Sequence, residues 1–270
     1  MRTVFFISDR TGMTAEALGN SLLTQFNDIE FKRVNIAFID SLSKAKHAAN
    51  QVKEASEADS QPALIFSTQI SKEYRQLLID SGGIFFDFFE TFISKLEKTL
   101  GTKSSQTVGL FHSMTDENNY GNRIDSINFA LSCDDGLNIK NYDRADIILT
   151  GVSRSGKTPT CLFLALQYGI FAANYPLIDE DLETIKLPTI LQKNKNKLFG
   201  LSINPVRLQN IRDERRSNSG YASIDQCRKE VKLAEDMFVQ NQVPFLDTSH
   251  TSIEEIAGRI LNKSAIKRRY

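Results

Sequence analysis

Short apolar runs alternate along the first hundred residues with longer stretches in which apolar positions recur every three or four. Thr3–Ser8 (TVFFIS), Arg33–Ile39 (RVNIAFI), Pro62–Thr68 (PALIFST) and Ile84–Phe89 (IFFDFF) are compact and rich in β-branched or aromatic residues, and they predict strands. Thr14–Phe26, Ser43–Ala58, Ser71–Ser81 and Thr91–Leu100 predict helices. This alternation implies a parallel sheet with helices on its faces. The unbroken apolar character of the runs suits strands covered on both sides.

Gly101–Gly121 interrupts the rhythm with Gly, Ser, Thr and Asn, and predicts a connection between two domains, 1–104 and 105–270. Beyond it, Arg123–Leu131 predicts a short amphipathic helix and Ala145–Thr150 (ADIILT) a strand. Pro159–Tyr168, Arg207–Arg216, Ile224–Asn241 and Ser252–Leu261 predict helices, and Lys197–Ile203 and Val243–Asp247 further strands. The expected fold is α/β: an N-terminal parallel-sheet domain followed by a C-terminal α/β domain. No internal repeat is visible.

Composition narrows the functional classes. With 270 residues and 41 % hydrophobic content, the chain can build a packed core. Lys plus Arg and Asp plus Glu balance at 33 each, so no overall basic bias points to nucleic acid. No stretch approaches the roughly 20 apolar residues of a membrane-spanning helix. The MRTVFFISDRTG start is too short in its apolar part for a signal peptide. Cys133, Cys161 and Cys227 form no CxxC pair and are odd in number, which fits a reducing compartment. The expected location is the cytoplasm.

The strongest chemical signal is Gly151-Val152-Ser153-Arg154-Ser155-Gly156-Lys157-Thr158, which matches GxxxxGK[ST]. Four residues between the glycines let a loop curl so that its N–H groups face phosphate oxygens. Lys157 would bring charge to the transferred phosphoryl group, Thr158 would offer its hydroxyl to Mg2+, and the following helix would add its dipole. The context agrees: ADIILT leads into Gly151, and Pro159 sits in the first helical turn, where a missing N–H is harmless. The C-terminal domain is therefore expected to be P-loop kinase-like. Arg154 is either a second phosphate ligand or a solvated arginine.

Weaker signals leave alternatives open. Arg207, Arg212, Arg215 and Arg216 could line a phosphate-facing lid, with Arg212 sharing a helix face with Arg215 and Arg216, or could form surface ion pairs with Asp213 and Glu214. Cys133-Asp134-Asp135-Gly136 could supply a base and a magnesium ligand, or be an ordinary turn. Ser8–Thr14 (SDRTGMT) is either an anion nest or a βα turn capped by Thr14. Asp247–His250 either lines the nucleotide pocket or is a plain loop before a Thr251 or Ser252 cap. His47, His112 and His250 are scattered too widely for a metal site.

Longer motifs carry a resemblance. Gly151–Leu177 (GVSRSGKTPTCLFLALQYGIFAANYPL), Lys197–Val231, Val243–Leu261, Ser8–Gly19 and Arg123–Gly136 together resemble the kinase–pyrophosphorylase family. That family embraces bacterial regulators of phosphoenolpyruvate synthase and of pyruvate, phosphate dikinase, and the similarity covers essentially the whole chain. It implies a bifunctional enzyme that phosphorylates a threonine of its target with ADP as donor, releasing AMP, and removes that phosphate with orthophosphate, releasing pyrophosphate. Gly156, Gln226–Arg228 and the basic tail 267–270 look like the synthase-regulating branch. The implied catalytic set is Lys157, Asp134, Asp135 and Arg215, with Gly151–Thr158 on the nucleotide, Thr158 on Mg2+ and phosphoenolpyruvate synthase as protein substrate. A homodimer is open to such a chain. Cys133 stands where many members have histidine, so a histidine base is excluded there. Competing readings are a regulator of the dikinase, a P-loop small-molecule kinase of the adenylate or shikimate type, and a non-enzymatic nucleotide switch.

Overall fold

The computed structural model describes residues 1–105, 117–184, 186–215, 220–264 and 266, without the side chains of 117–120. Arg216, His112, the 267–270 tail and much of the expected 101–121 connection lie outside these residues. The chain divides into two compact units, Met1–Ser113 and Met114–Tyr270.

The first unit runs β1 (Arg2–Ile7), α1 (Met13–Leu23), β2 (Phe31–Ile36), α2 (Leu42–Ala58), β3 (Leu64–Ser67), α3 (Lys72–Ile79), β4 (Ile84–Asp87) and α4 (Glu90–Leu100). Its four strands are parallel in the order β2-β1-β3-β4. Successive side chains of a strand point to opposite faces. Phe5, Ile7 and Ile65 accordingly pack under α2 and α3 through Ala45, Ala48, Val52 and Leu78, whereas Val4, Phe6 and Phe66 pack under α1 through Ala15 and Leu23. Phe66 stacks on Phe6, Phe86 and Phe88, with centroid separations of 6.0, 4.9 and 5.6 Å.

The second unit runs α5 (Glu117–Ser132), β5 (Ile147–Gly151), α6 (Lys157–Tyr168), β6 (Ala172–Pro176), α7 (Asp179–Glu183), α8 (Thr189–Lys193), β7 (Leu198–Ser202), α9 (Pro205–Arg215), α10 (Ile224–Gln240), β8 (Phe245–Asp247) and α11 (Ile253–Lys263). Its sheet is also wholly parallel, in the order β6-β5-β7-β8. Ile147 and Leu149 join α6 and α11 on one face, and Ile148 joins Val231, Ala234 and Phe238 of α10 on the other. The two units thus share one strand order, a duplication of architecture that the sequence does not display as a repeat. Strand β6 and the short helices α7 and α8 are additions to the elements expected above. No helix among the described residues is long and apolar enough to cross a membrane.

Ser252 caps α11 by accepting from Glu255 N at 3.2 Å, as expected of that position. Thr14 does not cap α1; the helix starts at Met13 behind Gly12, whose φ is +78° and which offers no side chain.

Phe66 is the hub of the aromatic stack in the first unit, so Phe66→Ala is expected to lower stability by about 3–5 kcal/mol. Urea denaturation followed in the purified protein checks this. A loss below about 1 kcal/mol would mean that the neighbours collapse onto the vacated space.

Candidate active site

β5 is an inner strand, buried along its whole length, and it ends at the loop that opens α6. Gly151 is held against β7: a Cβ there would lie 2.2 Å from the Leu201 carbonyl oxygen, so no other residue fits. Its own carbonyl accepts from Leu177 N beyond β6, at 3.0 Å. Arg154 (φ +76°) and Gly156 (φ +91°) both take left-handed conformations. That backbone curls the loop and leaves Lys157 and Thr158 at the head of α6.

Three neighbours brace the loop. Thr248 Oγ1, just beyond β8, donates within reach of both the Ser155 and the Ser202 carbonyls, at 3.1 and 3.0 Å. Tyr221 donates its hydroxyl to Ser153 Oγ at 2.9 Å. Arg212 Nη2 donates to the Ser153 carbonyl at 3.3 Å. Ser155 Oγ, almost wholly buried, has no partner among the described residues.

Lys157 is only 4 % exposed, and its ammonium donates to the Val152 carbonyl at 2.8 Å, folded back over the loop. Burial drives its pKa down to about 8, while the Asp135 and Asp134 carboxylates pull the other way. The charge is therefore held poorly until an anion arrives to share it.

Beside Lys157 lies the Asp134–Asp135 pair, which the sequence left open between a base with a magnesium ligand and an ordinary turn. The tight turn Asp134–Gly136 follows α5, with Asp135 at φ +47°. It is tied to β6 by Asn174 N donating to the Cys133 carbonyl at 3.1 Å. Asp134 Oδ1 accepts from Thr158 Oγ1 at 2.9 Å and from Asn174 Nδ2 at 2.5 Å. Asn174 Nδ2 also lies 3.0 Å from Thr158 Oγ1 and 3.3 Å from Asp135 Oδ1. The structure therefore brings Asp134, Asp135, Lys157 and Thr158 together. It adds Asn174, fully buried in the unanticipated β6, for which an isolated Asn in a short strand gives no sequence signal. Cys133 is buried and its thiol pKa is raised by desolvation, so it is no substitute for a histidine base.

The arginine cluster separates. Arg212 is fully buried and does not share an exposed face with Arg215. Its two terminal nitrogens meet both Glu230 oxygens, at 3.0 and 2.6 Å, and its guanidinium lies 4.0 Å from the Tyr221 ring centroid. Burial works against its charge, but the Glu230 hydrogen bonds outweigh that and lift its pKa above the ordinary guanidinium value. Arg212 thus anchors the Tyr221 strap to the loop. Arg215 is exposed in the last turn of α9, and Arg154 is exposed in the loop itself.

Asp247–His250 serves the loop from behind, through Thr248. Ser249 Oγ accepts from Asn204 N at 2.6 Å, and His250 is exposed. The Ser8–Thr14 loop of the first unit occupies the matching place after β1, with Gly12 at the head of α1 as Gly156 is at the head of α6. Met13 takes the position of Lys157, and Asp9 nearby has a raised pKa because burial penalises its charge. That loop carries Asp9 and the exposed Arg10 but no buried ammonium at the helix head, which makes it a weaker phosphate grip than 151–158.

A buried strand, a braced loop with a glycine behind a lysine, and carboxylates within reach of the helix-head threonine define the class of site found in phosphate-handling α/β enzymes. A family model described as kinase/pyrophosphorylase matches residues 4–261. A protein of Laribacter hongkongensis, named "Putative phosphoenolpyruvate synthase regulatory protein", is 50 % identical over 270 residues, covering 100 % of this chain and 98 % of its own length. Proteins of the same name from Marinobacter nauticus and Pseudomonas aeruginosa are 49 % and 48 % identical, covering 99 % and 100 % of this chain and 98 % of each relative. The chain belongs to the kinase/pyrophosphorylase family.

Two expectations follow from this geometry. Anion affinity should hold up to about pH 8 and then fall by up to tenfold per pH unit, because Lys157 loses its proton in the free protein while a bound anion retains it. Calorimetric titration of pyrophosphate between pH 7 and 9.5 checks this, and Lys157→Arg should flatten the profile; a flat wild-type profile would contradict it. Glu230→Ala should cost about 3–5 kcal/mol by leaving Arg212 buried and unpaired, whereas Arg215→Ala should leave denaturant stability unchanged. Equal losses in the two variants would remove the distinction.

Proposed function

We propose that this chain is a bifunctional serine/threonine kinase and phosphorylase that regulates phosphoenolpyruvate synthase (pyruvate, water dikinase). In the forward direction a target threonine hydroxyl takes the β-phosphoryl group of ADP, giving phosphothreonine, AMP and a proton, and the target is inactivated. In the restoring direction orthophosphate takes the phosphoryl group from phosphothreonine, giving threonine and pyrophosphate. The observation that carries the reading is Lys157, buried at the head of α6 beside Asp134, Asp135 and Thr158. The relatives' printed name supplies the target enzyme.

Each residue then has a task. Loop N–H groups and Lys157 bind the phosphate chain and neutralise the equatorial oxygens in both directions. Arg215, exposed at the end of α9, is available to a phosphoryl group approaching from solvent. Asp135 is exposed and, among the described residues, its side chain makes only the long Asn174 contact, which leaves it free to take the threonine proton. Asp134 is already committed to Thr158 and Asn174. Mg2+ fits this donor set, since carboxylate, hydroxyl and amide oxygens are hard ligands and the amide oxygen of Asn174 is buried without a partner among the described residues. Thr158 and Asp134 would hold it, and its charge would help neutralise the phosphate oxygens.

The test is incubation with phosphoenolpyruvate synthase, β-labelled ADP and Mg2+. Label should appear on a target threonine with AMP released, and orthophosphate should then release labelled pyrophosphate, with AMP as an inhibitor. Lys157→Ala should slow both reactions about a hundredfold to a thousandfold, a loss of roughly 2.7–4 kcal/mol of transition-state stabilisation in each. Asp135→Asn should slow transfer about a hundredfold to ten-thousandfold while ADP still binds. A Lys157 variant that loses the kinase reaction but keeps phosphorolysis would mean two separate sites.

A further inference from the structure

Asn174 touches Asp134, Asp135 and Thr158, the oxygen-bearing side chains of the turn–helix cluster, and the proposed function names its amide oxygen only as one hard donor. Its backbone is clamped on both sides: N donates to the Cys133 carbonyl at 3.1 Å, and O accepts from the buried Tyr142 hydroxyl at 2.9 Å. Its amide therefore has a fixed base from which only the side chain can turn. Nδ2 points at Asp134 Oδ1 (2.5 Å), Thr158 Oγ1 (3.0 Å) and Asp135 Oδ1 (3.3 Å). Two N–H groups thus face three oxygens, two of them on carboxylates. Oδ1 of the same amide is buried and has no hydrogen-bond partner among the described residues. A buried amide with an unmet acceptor is unfavourable in this state.

The chemistry of the surroundings says which ligand would use that acceptor. Two carboxylates repel an amide oxygen unless a cation lies between them. Turning the amide over exchanges Nδ2 and Oδ1, and the cluster then offers hard oxygens from Asp134, Thr158 and Asn174. That is the donor chemistry of Mg2+. Among the described residues, no group of three or more His, Cys, Asp or Glu side chains converges, so carboxylates alone do not make a metal site. The neutral oxygens are needed, together with phosphate oxygens brought by the nucleotide.

We propose that Asn174 completes a divalent-cation site at the Asp134–Thr158 pair: its Nδ2 substitutes for the cation when the site is empty, and its Oδ1 turns to the cation when the nucleotide arrives. This deepens the proposed function and rests on it. It assigns to β6 a part in metal binding, where P-loop enzymes commonly use an acid on a neighbouring strand. Here β7, the strand beside β5 on the other side, ends in Ser202, whose hydroxyl is bonded to Glu235 of α10.

The experiment measures binding, not turnover. Calorimetry gives ADP affinity in EDTA and across Mg2+ concentrations for the wild type and Asn174→Ala, and thermal unfolding is followed with and without Mg2+ for the wild type and Asn174→Asp. Wild type should bind ADP more tightly with Mg2+. With ADP affinity in EDTA taken as each variant's own reference, Asn174→Ala should need a Mg2+ concentration raised about tenfold or more for half-saturation. Asn174→Asp adds a third carboxylate, so Mg2+ alone should raise its Tm clearly more than that of the wild type. An unchanged Mg2+ dependence in Asn174→Ala overturns the proposal. If that variant does not fold, an Asn174→Asp protein whose Tm ignores Mg2+ overturns it instead. ADP that fails to bind the wild type overturns the proposed function as well, which separates the two failures.

Discussion

A protein that grips phosphate must keep several backbone N–H groups and an ammonium pointed inward before any anion is there to satisfy them. That unfavourable arrangement is the constraint around which the second unit is built. Burial of Lys157 lowers its pKa to about 8, and its proton is shared with the Val152 carbonyl. The loop does not relax because its carbonyls are engaged from outside: Gly151 by Leu177, Ser153 by Arg212, Ser155 by Thr248. Arg212 can serve there because Glu230 neutralises it with both carboxylate oxygens. Buried charge pairs of this kind add little net stability but fix geometry.

The two units show how little of function lies in the architecture. Both have four parallel strands in one order, and both place a glycine in a left-handed conformation ahead of the helix that follows their first strand. Only the second puts a lysine behind that glycine. The first has Met13, 64 % exposed, with the partly buried Asp9 close by in the loop. One fold therefore carries two loops of different charge, Asp9 with Arg10 in the first and Arg154 with Lys157 in the second, and the proposed phosphate chemistry is assigned to the loop with the buried ammonium.

Much of this was legible in the chain. Strands β1, β3, β5 and β7 are apolar runs that hardly admit another reading, and the GxxxxGK[ST] spacing located the loop and the head of α6. β6 escaped because Ala172–Pro176 is short, ends in proline and carries a polar residue, Asn174, at its centre. A strand of that composition is recognised by its pairing with β5, which is a tertiary fact. Arg212 and Arg215 illustrate the limit of helical spacing. Three residues apart they share a face in an isolated helix, but Glu230, eighteen positions further on, draws Arg212 inward. The Asp134–Asp135 pair read more readily as a turn than as a site. It is a turn, and Thr158 and Asn174 are hydrogen-bonded to it.

In the proposed function the braced loop 151–158, and not its counterpart at 8–14, holds the phosphate. Hydrogen exchange of the full chain with and without saturating pyrophosphate and Mg2+ distinguishes the two loops. Amides from Val152 to Thr158 should slow markedly on ligand addition while those from Ser8 to Thr14 should not change. Protection appearing at Ser8–Thr14, or at neither loop, would contradict it.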